Sequence, residues 1–155
     1  MDDGTERREA PAADNWKRSF LDKLHGALSQ CAKQFDETLD GVVVPGFDEL
    51  AEFLHDNGFD ISRPLNELHR RSFKWGLAEN AYLLMIFSFS GVGEFELRTE
   101  MFVPGAEPTL EKRVGRLADT DGAWARAQLQ SALDRFIDLL AERATPEPSH
   151  ALAAV

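Results

Sequence analysis

What this chain of 155 residues lacks narrows its function before anything in it is read. Cys31 is its one cysteine, so no internal disulfide can form and the sequence lends secretion no support. Lys and Arg number 17 against 27 Asp and Glu, a net charge of -10 at pH 7. Such a surface repels phosphate over most of its area, which argues against nucleic acid or anionic lipid as partners. No apolar run approaches the ~20 residues that a membrane-spanning helix needs, and no positively charged, apolar-cored signal peptide opens the chain. The expectation is a cytoplasmic protein with no membrane association, whose partners are proteins or small molecules.

Catalytic signatures are missing as well. There is no Gly-rich phosphate loop, His-Glu-x-x-His, Cys-x-x-Cys or Gly-x-Ser-x-Gly, and His25, His55, His69 and His150 are scattered. Glu52 and His55 have the Glu-x-x-His spacing of a carboxylate-bundle metal site, but no second pair accompanies them. The two fit the solvated side of a helix instead, where His55 near the C-terminus suits the dipole. Asp119-Thr120-Asp121-Gly122 fails as a calcium loop, because Leu117 and Gln128 stand where acids are needed. Asp119 or Asp121 suits the N-cap of the last helix. Cys31 falls on an apolar stripe without basic neighbours to stabilise a thiolate, as an inert small hydrophobe does. No catalytic, cofactor-binding or metal-ligating residue is nominated, and no cofactor is expected. A catalytic site assembled from distant residues is invisible in one sequence.

What the chain does have is clearest in residues 81–103, AYLLMIFSFSGVGEFELRTEMFV, its most apolar stretch. An aromatic and branched run, a Gly-Val-Gly break and an alternating run predict an antiparallel hairpin. A two-residue loop Gly91-Val92 would set Phe89 against Glu94 and Phe87 against Glu96. A three-residue loop Gly91-Val92-Gly93 instead pairs Phe89 with Phe95, Phe87 with Leu97, Met85 with Thr99 and Leu83 with Met101, leaving Ser90 and Ser88 opposite Glu94 and Glu96. That register sorts the faces, with Phe87, Phe89, Phe95 and Leu97 buried together, and Gly93 suits the left-handed third loop position. The strand over 82–89 is too apolar for an edge, and two strands by themselves are marginal. A neighbour is therefore required: Val42-Val43-Val44, residues 109–117, or a second copy of the chain.

The remainder reads mostly as helix. Residues 1–14 are polar and aperiodic, an expected disordered tail. Asp14 can cap a long amphipathic helix carrying Trp16, Phe20, Leu24, Ala27 or Leu28, Cys31, Phe35 and Leu39, closed by Asp40-Gly41. Val42-Val43-Val44 is a candidate short strand before Pro45-Gly46. Residues 47–57 predict a short helix stopped by Gly58. Ser62 and Pro64 predict the start of another, lined by Leu65, Leu68, Ser72 and Trp75 and closed by Gly76. Residues 109–117 fit a short helix better than a strand, although Gly115 weakens it. Residues 123–143 carry Leu129, Leu133, Phe136 and Leu140 at helical steps, with Trp124, Ala132 and Ile137 widening the stripe. Residues 144–155 are an expected disordered tail. The fold class is α+β in one domain over 15–143: a long N-terminal helix, two short helices, the hairpin with a candidate third strand, and a long C-terminal amphipathic helix.

Charge is unevenly spread. Between positions 36 and 60 there are eight acids and no Lys or Arg, while His69 to Trp75 reads His-Arg-Arg-Ser-Phe-Lys-Trp. Basic groups among aromatics could grip phosphate, although in the last turns of a helix they also suit the dipole. Acidic and basic surfaces side by side can orient a protein partner or simply draw the two segments together in the fold. The partner-binding candidates are Glu49, Glu52, Asp56, Arg70, Arg71, Lys74 and Trp75. The function expected is a non-catalytic protein-interaction module, an adaptor, regulator or chaperone that forms a homodimer. The alternative is a small apolar-ligand binder or enzyme with a pocket between sheet and helices, lined by Trp16, Tyr82, Phe102 or Trp124.

Overall fold

The computed structural model describes residues 2–144, with side chains described over 14–143 except at 63, 64 and 66. The order is α1 (Asp2–Thr38), a π-helical turn (Leu39–Val43), α2 (Val44–Asp56), β1 (Asp60–Glu67), β2 (Arg70–Ala78), β3 (Ala81–Gly91), β4 (Glu94–Phe102), β5 (Thr109–Arg116), a 3-10 turn (Leu117–Asp119) and α3 (Gly122–Ala144). The class is α+β, built on a five-stranded antiparallel sheet in the order β1-β2-β3-β4-β5. Residues 145–155, most of the expected C-terminal tail, lie outside the described residues.

The β3–β4 hairpin keeps the expected register. Phe89 pairs with Phe95, Phe87 with Leu97, Met85 with Thr99, Leu83 with Met101 and Ser88 with Glu96. Its tip differs, because Gly91 rather than Ser90 closes the ladder against Glu94, with a bulge between Phe89 and Gly91. Gly93 takes the left-handed conformation at φ 70°, which a side chain would resist. β3 lies at the centre of the sheet, as its apolar character requires, but its second neighbour is β2.

That neighbour comes from a segment with helical spacing. Residues 60–78 form the β1–β2 hairpin, turned at Leu68-His69, with His69 at φ 60°. Leu65, Leu68, Ser72 and Trp75 imitate a helical stripe, yet Arg71, Phe73 and Trp75 also alternate with Ser72 and Lys74, and it is this period that is buried. Pro64 does not open a helix. It falls where the β1–β2 pairing slips, on an edge strand that tolerates a missing N–H. Residues 109–116 are likewise strand rather than helix, and pair with β4. Gly115 explains the choice: a Cβ there would lie 2.3 Å from Phe95 Cζ, so the bare backbone makes room for a buried ring.

Val42-Val43-Val44 is not a strand. The chain stays helical through Asp40-Gly41, and the Val44 N–H reaches Leu39 O across the wide turn. Leu39 and Val43, four residues apart, are both buried by it. Pro45 then sits in the first turn of α2, where its missing N–H costs little. The backbone of residues 2–14, expected as a tail, is helical and continuous with α1, so Asp14 is not a cap. Two caps hold: Gly58, at φ 94°, ends α2, and Asp121 Oδ1 accepts from the Trp124 N–H at 2.7 Å to begin α3.

Helices α2 and α3 pack on the face that carries Phe73, Trp75, Phe87 and Phe95. Phe47 stands edge-on to Phe73 and Trp75 at 4.9 and 5.3 Å, and Trp124 to Phe95 at 5.6 Å. The two helices meet at Gly46, whose absent Cβ would lie 3.0 Å from Ala125 Cβ. Phe47, Phe73, Trp75, Phe87 and Phe95, all buried, each contribute about 1.5–3 kcal/mol, and half-buried Trp124 less, which makes this two-layer core the main source of stability.

Candidate interaction surface

The C-terminal end of α1 is fastened to the sheet. Phe35 is buried and meets Phe89 edge-on at 6.0 Å. Beside it Arg71, 7% exposed, donates from Nε to Asp40 Oδ1 at 3.0 Å, and from Nη2 to Asp36 Oδ1 at 3.0 Å and Asp40 Oδ2 at 3.2 Å. Its Nη1 donates to the carbonyls of Glu67 and Arg70, both at 2.9 Å. The hydrogen bonds it donates to Asp40, outweighing burial, hold the guanidinium above the ordinary arginine value. A fork with this many fixed partners is a tether between helix and sheet.

Beyond that tether the helix runs on without cover. Trp16, Phe20, Leu24 and Leu28, at four-residue steps, are 38 to 66% exposed, and Leu21 beside them is 47% exposed. They continue the stripe that buries Phe35 and Leu39. At 100° per residue all of them fall within one face, and Trp16 and Phe20 stack at 5.4 Å. Residues 14–28 span about 20 Å of helix and leave on the order of 500 Å² of apolar side chain in water, at the upper end of what a monomer exposes. Lys17, Arg18 and Lys23 stand along this stem, and among the described residues they have no ion-pair partner.

A second exposed apolar feature is the groove between α2 and α3. It has a volume of about 550 Å³ and is lined by Leu50, Phe53, Phe59, Leu133 and Ile137, with Asp134 and Asp138 at its polar margin. Phe53 stands mostly in solvent. Glu52 and Asp56 flank it on α2, both exposed.

The residues nominated from the sequence are scattered over the fold. Glu49 bonds Arg126 at 2.8 Å and ties α2 to α3. Asp56 lies 3.8 Å from His55 Nδ1, and Glu52 is exposed beside Phe53. The basic cluster is split by the strand: Arg71 and Trp75 point into the core, while Arg70 stays exposed, 3.9 Å from Glu67, and Lys74 lies 4.3 Å above the Tyr82 ring. The acidic 36–60 segment and the basic cluster meet through Arg71, Asp36 and Asp40, within the fold. The residues proposed to line a pocket do not converge either. Trp16 is on the stem, Tyr82 stacks on Phe102 at 4.5 Å, and Trp124 packs in the core. The recess beside Trp124, Phe95 and Gly115 measures about 90 Å³.

The stem was missed although its residues were read correctly as one stripe. Periodicity shows that a face is apolar, and says nothing of what covers it.

Among the described residues no group of three or more His, Cys, Asp or Glu side chains could hold a metal ion, and no helix is long and apolar enough to cross a membrane. Compared with known proteins, the chain matches no family model, no curated sequence and no solved structure.

Proposed function

We propose that this chain is a non-catalytic protein-interaction module, an adaptor, regulator or chaperone-type protein of the cytoplasm, which meets its partner through the projecting stem of α1. One observation carries the reading: the stripe Trp16, Phe20, Leu24 and Leu28 is as apolar as the stretch of α1 that enters the core, yet it is exposed. An amphipathic helix held out from a rigid body offers regularly spaced apolar anchors, a recurring way in which one protein grips another through a helix. A photo-cross-linking residue at Leu24 of the intact protein in cells should join it to protein of discrete mass. The same residue at exposed Glu107 should not. Equal yields at the two positions, or none at Leu24, would overturn the proposal.

The groove between α2 and α3 supports a second reading, a binder of small apolar ligands. Its size and lining suit such a role, with the ligand between two helices rather than between sheet and helices. Titration with N-phenylnaphthylamine should then raise its fluorescence in the wild type, and Ile137→Glu should abolish the rise. An undiminished signal from that variant would remove the groove as the site.

A further inference from the structure

We infer that the α1 stem of one copy seats in the α2–α3 groove of a second copy, and that two such seatings, related by a twofold axis, close a dimer. The inference rests on the proposed reading of the stem as the interaction surface and names its occupant.

The two surfaces match in chemistry. The stem is an apolar stripe flanked by Lys17 and Lys23, which lack ion-pair partners among the described residues, while Arg18 and Asp22 fall on the opposite side of the helix. The groove is apolar, with Asp134 and Asp138 at its margin, and among the described residues these too have no ion-pair partner. The nearby arginines are already engaged, Arg126 by Glu49 and Arg135 by Glu111. The groove's exposed carboxylates are therefore open to cations from elsewhere, and apolar surfaces carrying opposite charge dock in register.

The stem cannot fill its own groove, because α1 is unbroken helix as far as Thr38 and cannot fold back. Residues 145–155 are a poor substitute: they contain Glu147 and no Lys or Arg, so they offer Asp134 and Asp138 no lysine or arginine. Area favours the reciprocal arrangement. One stem in one groove would bury about 1,000 Å² in total, at the lower limit for a specific interface, whereas two bury about 2,000 Å², within the range of stable dimers. Because the two seatings are related by a twofold axis, each copy gives its stem to the copy from which it receives one, and the assembly closes; a one-way, head-to-tail seating of the same surfaces would polymerise instead.

Charge reversal tests this on the full chain. Sedimentation equilibrium should show a dimer for the wild type. Lys17→Glu with Lys23→Glu, and separately Asp134→Lys with Asp138→Lys, should each weaken it about tenfold or more. Mixed in equal amounts, the two variants should restore a dimer to within about threefold of wild type, since both seatings are then complementary. Circular dichroism spectra matching the wild type show that neither variant has misfolded. Monomeric wild type at 100 µM (roughly a hundredfold above a micromolar constant) overturns the inference, as does a dimer indifferent to the groove variant or one that mixing does not restore. A monomer whose Leu24 still cross-links to another protein sinks the self-association and leaves the interaction module standing. A dimer whose Leu24 cross-links only to its own second copy does the reverse, and an intact dimer with no cross-link at Leu24 overturns both.

Discussion

At the scale of single residues, Gly115 shows how one contact can overrule a propensity. Glycine inside a strand costs roughly 0.5–1 kcal/mol relative to alanine, so on propensity alone Gly115→Ala should stabilise β5. The added Cβ, however, would meet three atoms of the Phe95 ring at 2.3 to 2.9 Å, and that ring is buried against Phe87 and Trp124. Moving it disturbs the centre of the core, and overpacking of this kind costs about 1–3 kcal/mol. The contact outweighs the propensity. Gly115→Ala should lower the urea midpoint by the equivalent of about 1–2 kcal/mol, with the m-value unchanged. A midpoint equal to or above wild type would show that Phe95 can leave without loss. Arg71 illustrates the opposite case, where a charged side chain is buried because every hydrogen-bond donor direction it offers meets an acceptor.

At the scale of elements, α1 is one helix with two fates, and mutation should separate them. Phe35→Ala removes a fully buried ring and should cost about 3–5 kcal/mol of folding free energy. Phe20→Ala, on the same stripe but half in solvent, should change the stability of the monomer by less than about 1 kcal/mol. Thermal unfolding of the two variants, at concentrations too low for self-association, gives the comparison. Similar losses would mean that the stem is packed after all. The same scale explains how much of the fold was legible. The β3–β4 register could be read because period-two alternation and Gly93 are local signals that agree. The β1–β2 hairpin could not, because Ser62, Pro64 and the spacing of Leu65, Leu68, Ser72 and Trp75 spell a helix locally. The deciding fact, that β3 needs a partner on its open side, lies in the next strand and not in the segment itself. It was recognised as a need and assigned to the wrong segments. β5 was hidden by Gly115, whose purpose appears only when Phe95 is placed above it. Of the candidate surface, the stem's residues were legible and their exposure was not. The groove joins α2 to α3 across the length of the sheet, so no run of sequence contains it.

For the molecule as a whole, net charge and exposed apolar area oppose each other. At pH 7 the net charge of -10 keeps copies apart except where surfaces match, so that an apolar stem of this size is tolerated in solution. As the pH falls toward the isoelectric point near 4.8, that repulsion vanishes, and any stem not seated in a second copy is left exposed. One tie within the fold outlasts this point. Arg135 on α3 hydrogen-bonds Glu111 on β5 and holds its carboxyl below the usual value of 4.5. A depressed folded-state value means that this contribution is fully present above pH 4.5 and fades only as the pH drops through the lowered value. Between neutrality and about pH 4.5, then, this tie between α3 and β5 should hold while the net charge falls. Light scattering on acidification should rise steeply near pH 4.8, with the circular dichroism spectrum unchanged. In Trp16→Ser with Leu24→Ser, which leaves the charge as it was and removes the apolar anchors, the rise should fall severalfold. Scattering of equal size in both proteins would assign the aggregation to charge loss alone and deny the stem its role. Scattering that appears only after the spectrum changes would mean that unfolding comes first, and that the exposed stem is not what joins the copies.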